Sequence, residues 1–183
     1  MPSDQEIGKK EAETSELIPF FQAYKWVTSE RLSLTLPATE NPDFICIRAD
    51  GRPVGVELTK VTRDKGVRFW EHILHGKEEI DPFEAQELIL HLIEKKESAR
   101  IKRYSARVRD CILVLQLIDG SLEQLKFALE DHQEDFAAHG FSEIWLADYS
   151  GLQAFGDIEL FGLFPDRWWG YHERPWPDRK PYG

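Results

Sequence analysis

Basic residues are scarce in this chain. Its 183 residues carry 23 Lys and Arg against 33 Asp and Glu, a net charge of −10. A surface of that sign offers little long-range attraction to nucleic acid or to an anionic membrane. Cysteine is scarcer still. Cys46 and Cys111 are the only two, which excludes a disulfide-stapled scaffold and a zinc site built on cysteine alone. Both sit in apolar, strand-like segments and read as buried thiols of a reducing compartment. No apolar run approaches the roughly 18 residues of a membrane span. The opening stretch, MPSDQEIGKKEAETSE, is polar and lacks the apolar core of a secretion signal, so a cytoplasmic location is expected. Gly-rich phosphate loops followed by Lys-Ser/Thr are missing, as are Gly-x-Ser-x-Gly and Cys/His nucleophile patterns. With no repeat and no low-complexity linker, the chain reads as a polar lead (1–14), one domain (15–164) and an aromatic, proline-rich tail (165–183).

What is present is enough to fill a core: 42% of the residues are hydrophobic and 12% aromatic, which disfavours disorder. Charge is unevenly spread. Residues 119–160 hold ten acids against Lys126 alone, a balance of −9. Residues 94–110 hold seven bases against three acids, a balance of +4, so a basic stripe on an acidic protein is available to a polyanion.

Periodicity supplies the elements. Leu17, Phe20, Phe21 and Tyr24 recur at helical spacing over about Ser15 to Trp26. Leu32, Leu34 and Leu36 alternate with Ser33 and Thr35, a strand pattern. Phe44–Ile47 and Val54–Thr59 follow as two apolar runs around Asp50-Gly51, a hairpin signal. Asp81, Pro82 and Glu84 start a long helix with Ala85, Leu88, Ile89, Leu92 and Ile93 as its apolar stripe, turning basic up to about Tyr104. CILVLQLI (111–118) reads as a central strand covered on both faces. Ser121 with Gln124 starts a helix carrying Leu122, Leu125, Leu129 and Phe136, with Gly140 as its stop. Residues 141–146 and 158–164 are further strand candidates. The order is α-β-β-β-α-β-α-β: an α/β fold with a mixed sheet flanked by helices.

Chemistry concentrates in Asn41-Pro42-Asp43-Phe44 and Val56-Glu57-Leu58-Thr59-Lys60. Two hairpin strands each bring a carboxylate to the same end, and like charges across a strand pair destabilise a sheet by up to about 1 kcal/mol. A cation between them removes the repulsion, and hard oxygen donors suit Mg²⁺ or Mn²⁺. Register is the test. A two-residue loop at Asp50-Gly51 pairs positions whose numbers sum to 101 and puts Asp43 and Glu57 on opposite faces. Only sums of 100 or 102 unite them. The sequence therefore predicts a three-residue loop with a bulge and Gly51 in the left-handed region. Without metal, Asp43 would cap a turn and Glu57 would be an edge residue.

"PDF … GVELT" resembles the PD-(D/E)XK superfamily of restriction-endonuclease-like nucleases, in particular bacterial branches in which Thr replaces the motif lysine. The α-β-β-β-α-β order over about residues 15–118 is similar to the core of that superfamily. The resemblance implies a divalent-metal-dependent nuclease, with DNA the expected substrate, Asp43 and Glu57 as metal ligands, and Mg²⁺ or Mn²⁺ as cofactor. A catalytically inactive module of the same fold, binding nucleic acid or protein, is the alternative. Thr59 and Lys60 complete the expected catalytic set with Glu16, Asp43 and Glu57, strand alternation setting Thr59 beside Glu57 and turning Lys60 to the other face. Thr59 can bond a water but brings no charge to the phosphorus. In some superfamily members the lysine has moved to the following helix, which makes Lys95, Lys96 and Lys102 candidates; Lys102-Arg103-Tyr104 resembles the basic-aromatic end of that helix, and these five residues are the expected nucleic-acid contacts. Glu16 of the first helix is expected to complete the acidic set, with Glu13 in reserve, and Gln86 is a further candidate. His72 and His75 lack further ligands at a metal-binding spacing and read as surface residues. The tail, Phe164 to Trp176 and beyond, either lies over the domain or offers a protein or homodimer surface.

Overall fold

The computed structural model describes residues 3–37, 42–63, 69–75, 79–103, 109–137 and 140–173. Helix α1 runs over Asp4–Thr28, so the lead expected to precede the domain is, from Asp4 on, part of its first helix. Ser3 and Glu6 cap it reciprocally: the Glu6 N–H donates to Ser3 Oγ at 3.3 Å and the Ser3 N–H to Glu6 Oε2 at 2.7 Å. The helix ends at Ser29, whose φ is +60°.

Seven strands form one open mixed sheet whose spatial order is the order in the chain. β1 (Ser33–Pro37), β2 (Phe44–Ile47) and β3 (Pro53–Val61) make an antiparallel meander. The chain then passes through α2 (Phe69–His75) and α3 (Pro82–Arg103) to β4 (Cys111–Leu117), parallel to β3. α4 (Leu122–Leu129) leads to β5 (Glu143–Asp148), parallel to β4. The short α5 (Leu152–Phe155) precedes β6 (Glu159–Phe164) and β7 (Gly170–His172), both antiparallel. β7 and the partly buried Trp168 and Trp169 bring the first part of the expected tail into the domain, Trp169 meeting Phe136 and Phe161 at 6.1 and 5.2 Å. Residues 174–183 lie outside the described residues.

Two cores sandwich the sheet. On one face Ala85, Ile89 and Ile93 of α3 and Leu122, Leu125 and Leu129 of α4 pack on Val61, Leu113 and Leu115. On the other, Leu17, Phe20 and Tyr24 of α1 pack on Phe44, Val54, Val56, Ile112 and Val114. Every residue of β4 is buried, as expected for a strand covered on both sides. Each fully buried Ile on α3 contributes about 1.5–3 kcal/mol through that burial. Cys46 and Cys111 are buried free thiols.

The N-terminal ends of β4 and β5 are joined to the hairpin by Arg48. Its guanidinium forks onto Asp110 (2.8 and 3.2 Å) and reaches Glu143 at 3.0 Å. The Tyr24 hydroxyl and the Trp145 indole N–H also donate to Glu143, at 2.9 and 2.8 Å. Among the described residues no helix is long and apolar enough to cross a membrane.

Candidate active site

The site follows from one turn. The Gly51 N–H donates to Arg48 O and the Arg48 N–H to Arg52 O, both at 2.9 Å, and Gly51 has φ +86°. This is the expected three-residue loop with a glycine bulge. It pairs Phe44 with Val56 and Cys46 with Val54, numbers summing to 100. Extended by one position, that register sets Asp43 opposite Glu57 on one face.

The paired ladder of β2 and β3 stops at Phe44–Val56, whereas β3 runs on to Val61. Asp43 stands at this fork. Its carboxylate Oδ2 accepts the Leu58 N–H at 3.0 Å, taking the place of a ladder partner, and its own N–H donates to Glu57 Oε2 at 3.2 Å. Glu57 is 1% exposed. A carboxylate so placed needs a counter-charge, and Lys96 of α3 supplies it: Nζ lies 2.6 Å from Glu57 Oε1. Thr59 shares that face, and its buried Oγ1 has no hydrogen-bond partner among the described residues.

A cavity of about 290 Å³ opens along the free edge of β3 and is reached from both faces. Asp43, Thr59 and Lys96 line it, and from the α1 side Glu13, Glu16, Lys60 and Gln116 do so too. Glu16 is 5% exposed and accepts a hydrogen bond from Gln116 Nε2 at 3.3 Å. Its carboxyl is raised above the usual range by burial, against the pull of Lys60 and Gln116, with the charges of Glu13 and Asp43 adding to the rise. Burial and then the charge of Glu57 push Asp43 up to about 6, although the Leu58 N–H and Lys96 pull it down. Acid and base thus converge on one small volume, where each group feels the others' charge.

The structure sorts the expected site residues. Asp43, Glu57 and Thr59 come together, Glu16 joins them across the cavity, and Glu13 also reaches the wall. Of the lysine candidates on α3, Lys96 meets Glu57 while Lys95 is exposed. Lys60 is turned by strand alternation to the α1 face, as expected, and lines the cavity from that side, with its ammonium 5.0 Å from the Phe69 ring centroid. Gln86 is buried on α3 but is not in the cavity wall. The side chains of Lys102, Arg103, His72 and His75, and all of Tyr104, lie outside the described residues. Gln116 was not singled out from the sequence. Its signal is a lone amide in the otherwise apolar strand 111–117, at a position facing Glu16.

Asp43 and Glu57 are the pair of hard oxygen donors that could hold a divalent cation. Among the described residues no group of three or more His, Cys, Asp or Glu is placed to bind a metal without help. Mg²⁺ commonly keeps several waters and takes one or two carboxylates plus substrate phosphate, and two carboxylates beside an unpartnered hydroxyl suit that habit. Comparison with protein-family models, with curated proteins and with solved structures gives no match for this chain.

Proposed function

We propose that this protein is a divalent-metal-dependent nuclease that hydrolyses phosphodiester bonds, with DNA as substrate. The observation that carries the reading is the 2.6 Å contact of Lys96 Nζ with Glu57, across the strand fork from Asp43. It puts an amine where the PD-(D/E)XK pattern needs one and where the sequence of β3 offers Thr59 instead. The element order α1-β1-β2-β3-α2-α3-β4, which is the family order with the short α2 added, and the place of Pro42-Asp43 at the open end of the hairpin support the same family reading.

In this reading Asp43 and Glu57 would hold Mg²⁺ or Mn²⁺, an ion that takes one or two carboxylates together with water and substrate phosphate. When bound, such an ion polarises a phosphate oxygen and makes its water a stronger nucleophile at neutral pH. The chain's own groups do the rest. Thr59 Oγ1 accepts or donates a hydrogen bond to the attacking water. Lys96 offsets negative charge on the phosphoryl oxygens as the water oxygen bonds to phosphorus and the P–O bond to the sugar breaks, the attacking water giving its proton to solvent and the departing sugar oxygen taking one from it. Glu16, whose carboxyl burial raises above the ordinary range, faces the same cavity from the α1 side.

The test is incubation of supercoiled and single-stranded DNA with Mg²⁺ or Mn²⁺ and wild type, Glu57→Ala or Lys96→Ala. Cleavage lost with Glu57→Ala and lowered about 10²–10³-fold with Lys96→Ala is the expected result. Identical products from all three proteins, or none from any, would instead make the fold a binding module.

A further inference from the structure

An aromatic step lies beside the cavity on its α1 side. The ammonium of Lys60, a cavity wall residue, stands 5.0 Å from the centroid of Phe69, and Phe69 meets Trp70 edge to face with centroids 5.0 Å apart. Phe69 is 4% exposed and packs on Tyr149 at 5.6 Å, while the Tyr149 hydroxyl donates to the backbone carbonyl of Glu16. Trp70 is therefore mounted on a buried base that is tied to the acid side of the site. It is nonetheless 37% exposed. A single exposed aromatic is ordinary; one stacked edge to face on the ring that a cavity-wall cation covers is not. Among the described residues the other exposed aromatic rings are Trp26, Phe83 and Phe127; like Trp70 they lie outside the cavity wall, but Trp70 is the one joined to a wall residue, through Phe69 to Lys60.

We infer that Trp70 is a base-stacking residue and that the site takes its nucleic acid as an unpaired strand, with one phosphate at Lys60 and the neighbouring base on the indole. The inference rests on the nuclease reading and names its substrate class. Charge balance favours the unpaired form. A protein of net charge −10 gains little from the dense phosphates of a duplex, whose bases are moreover closed to stacking. A single strand has lower charge density and an open π-face on every base, and stacking makes up for weak electrostatics.

The experiment is equilibrium binding in EDTA, where no cleavage occurs, of labelled oligothymidine and of a duplex of equal length to wild type, Trp70→Ala and Trp70→Phe. Wild type is expected to prefer the single strand. Trp70→Ala should weaken single-strand binding at least about fivefold, and Trp70→Phe should stay within about twofold. Binding should fall only gently with salt, with the slope of about one phosphate contact. Unchanged single-strand affinity in Trp70→Ala, or equal losses on single strand and duplex, would overturn the inference. Binding that depends on Trp70 without any metal-dependent cleavage would remove the nuclease reading alone. Cleavage that requires Glu57 beside binding indifferent to Trp70 would remove this inference alone.

Discussion

Replacing Lys96 by Met keeps most of the side-chain volume and removes the one cation that, among the described residues, is paired with Glu57. The Glu57 side chain is 2% exposed and that of Lys96 28%. Breaking a fully buried pair costs about 3–5 kcal/mol. Here water reaches the ammonium and the Asp43 N–H still serves Glu57, so the expected loss is smaller, about 2–3 kcal/mol. For a chain of this size that lowers the melting temperature by about 5–10 °C. Thermal unfolding by circular dichroism in EDTA reads it directly. The second arm is the double variant Lys96→Met/Glu57→Gln, which removes both charges and should recover most of the loss. A single variant that melts with the wild type, or a double variant whose losses simply add, would refute the pairing and with it the role given to Lys96.

Three further outcomes follow from other parts of the structure. Asp43 has its carboxyl raised to about 6 in the fold against an ordinary 3.8, so its unfavourable contribution is absent below 3.8, grows as pH rises and is complete above about 6. Asp43→Asn should therefore raise the melting temperature of the metal-free protein above about pH 6 and lose that advantage in acid, as a thermal-shift series across pH would read. Arg48→Met removes the counter-charge of Glu143, whose side chain is 2% exposed, leaving it the Tyr24 and Trp145 donors, and should cost about 2–4 kcal/mol in urea unfolding. Arg48→Lys should rescue it poorly because the fork onto Asp110 is lost. At the same network, burial acts to raise Asp110, but hydrogen bonds from Arg48 and Ser142 outweigh it and the carboxyl ends low; its stabilisation is present above the ordinary value and disappears as pH falls through the lowered one. Finally, a Cβ on Gly162 would lie 1.9 Å from the Trp168 carbonyl oxygen, so Gly162→Ala should cost roughly 3 kcal/mol by displacing the turn after β6, again measured by urea unfolding.

The hairpin was legible because a face requirement and a turn rule constrain each other. Asp43 and Glu57 share a face only in an even register, and Asp-Gly with a left-handed glycine supplies one. The lysine was legible only in part. Lys95, Lys96 and Lys102 look alike as charges, and helical phase alone does not separate the first two: Lys96 follows Ile89 and Ile93 by seven and three residues, Lys95 follows Leu88 and Leu92 by the same steps, and only the deeper burial of the first pair in the fold decides between them. The start of α1 was missed because residues 4–14 carry almost no apolar periodicity; the Ser3–Glu6 capping box was the signal that marked it. α4 stops at Leu129 instead of reaching Phe136, which sits in a separate turn of 3₁₀ helix over Gln133–Phe136. Glu130 and Glu134, and Asp131 and Asp135, would repel at i,i+4 spacing and crowd the negative end of the helix dipole. α2 escaped notice as a seven-residue element, too short for periodicity to speak. Long-range contacts such as Arg48 to Glu143 leave no local pattern in the sequence.

The convergence of Asp43 and Glu57 on one cation is tested most directly by growing crystals with Mn²⁺ and computing an anomalous-difference map. The account predicts a peak about 2.1 Å from an oxygen of each residue. A map without a peak at the strand fork, or with the ion held by only one of the two carboxylates, would contradict it.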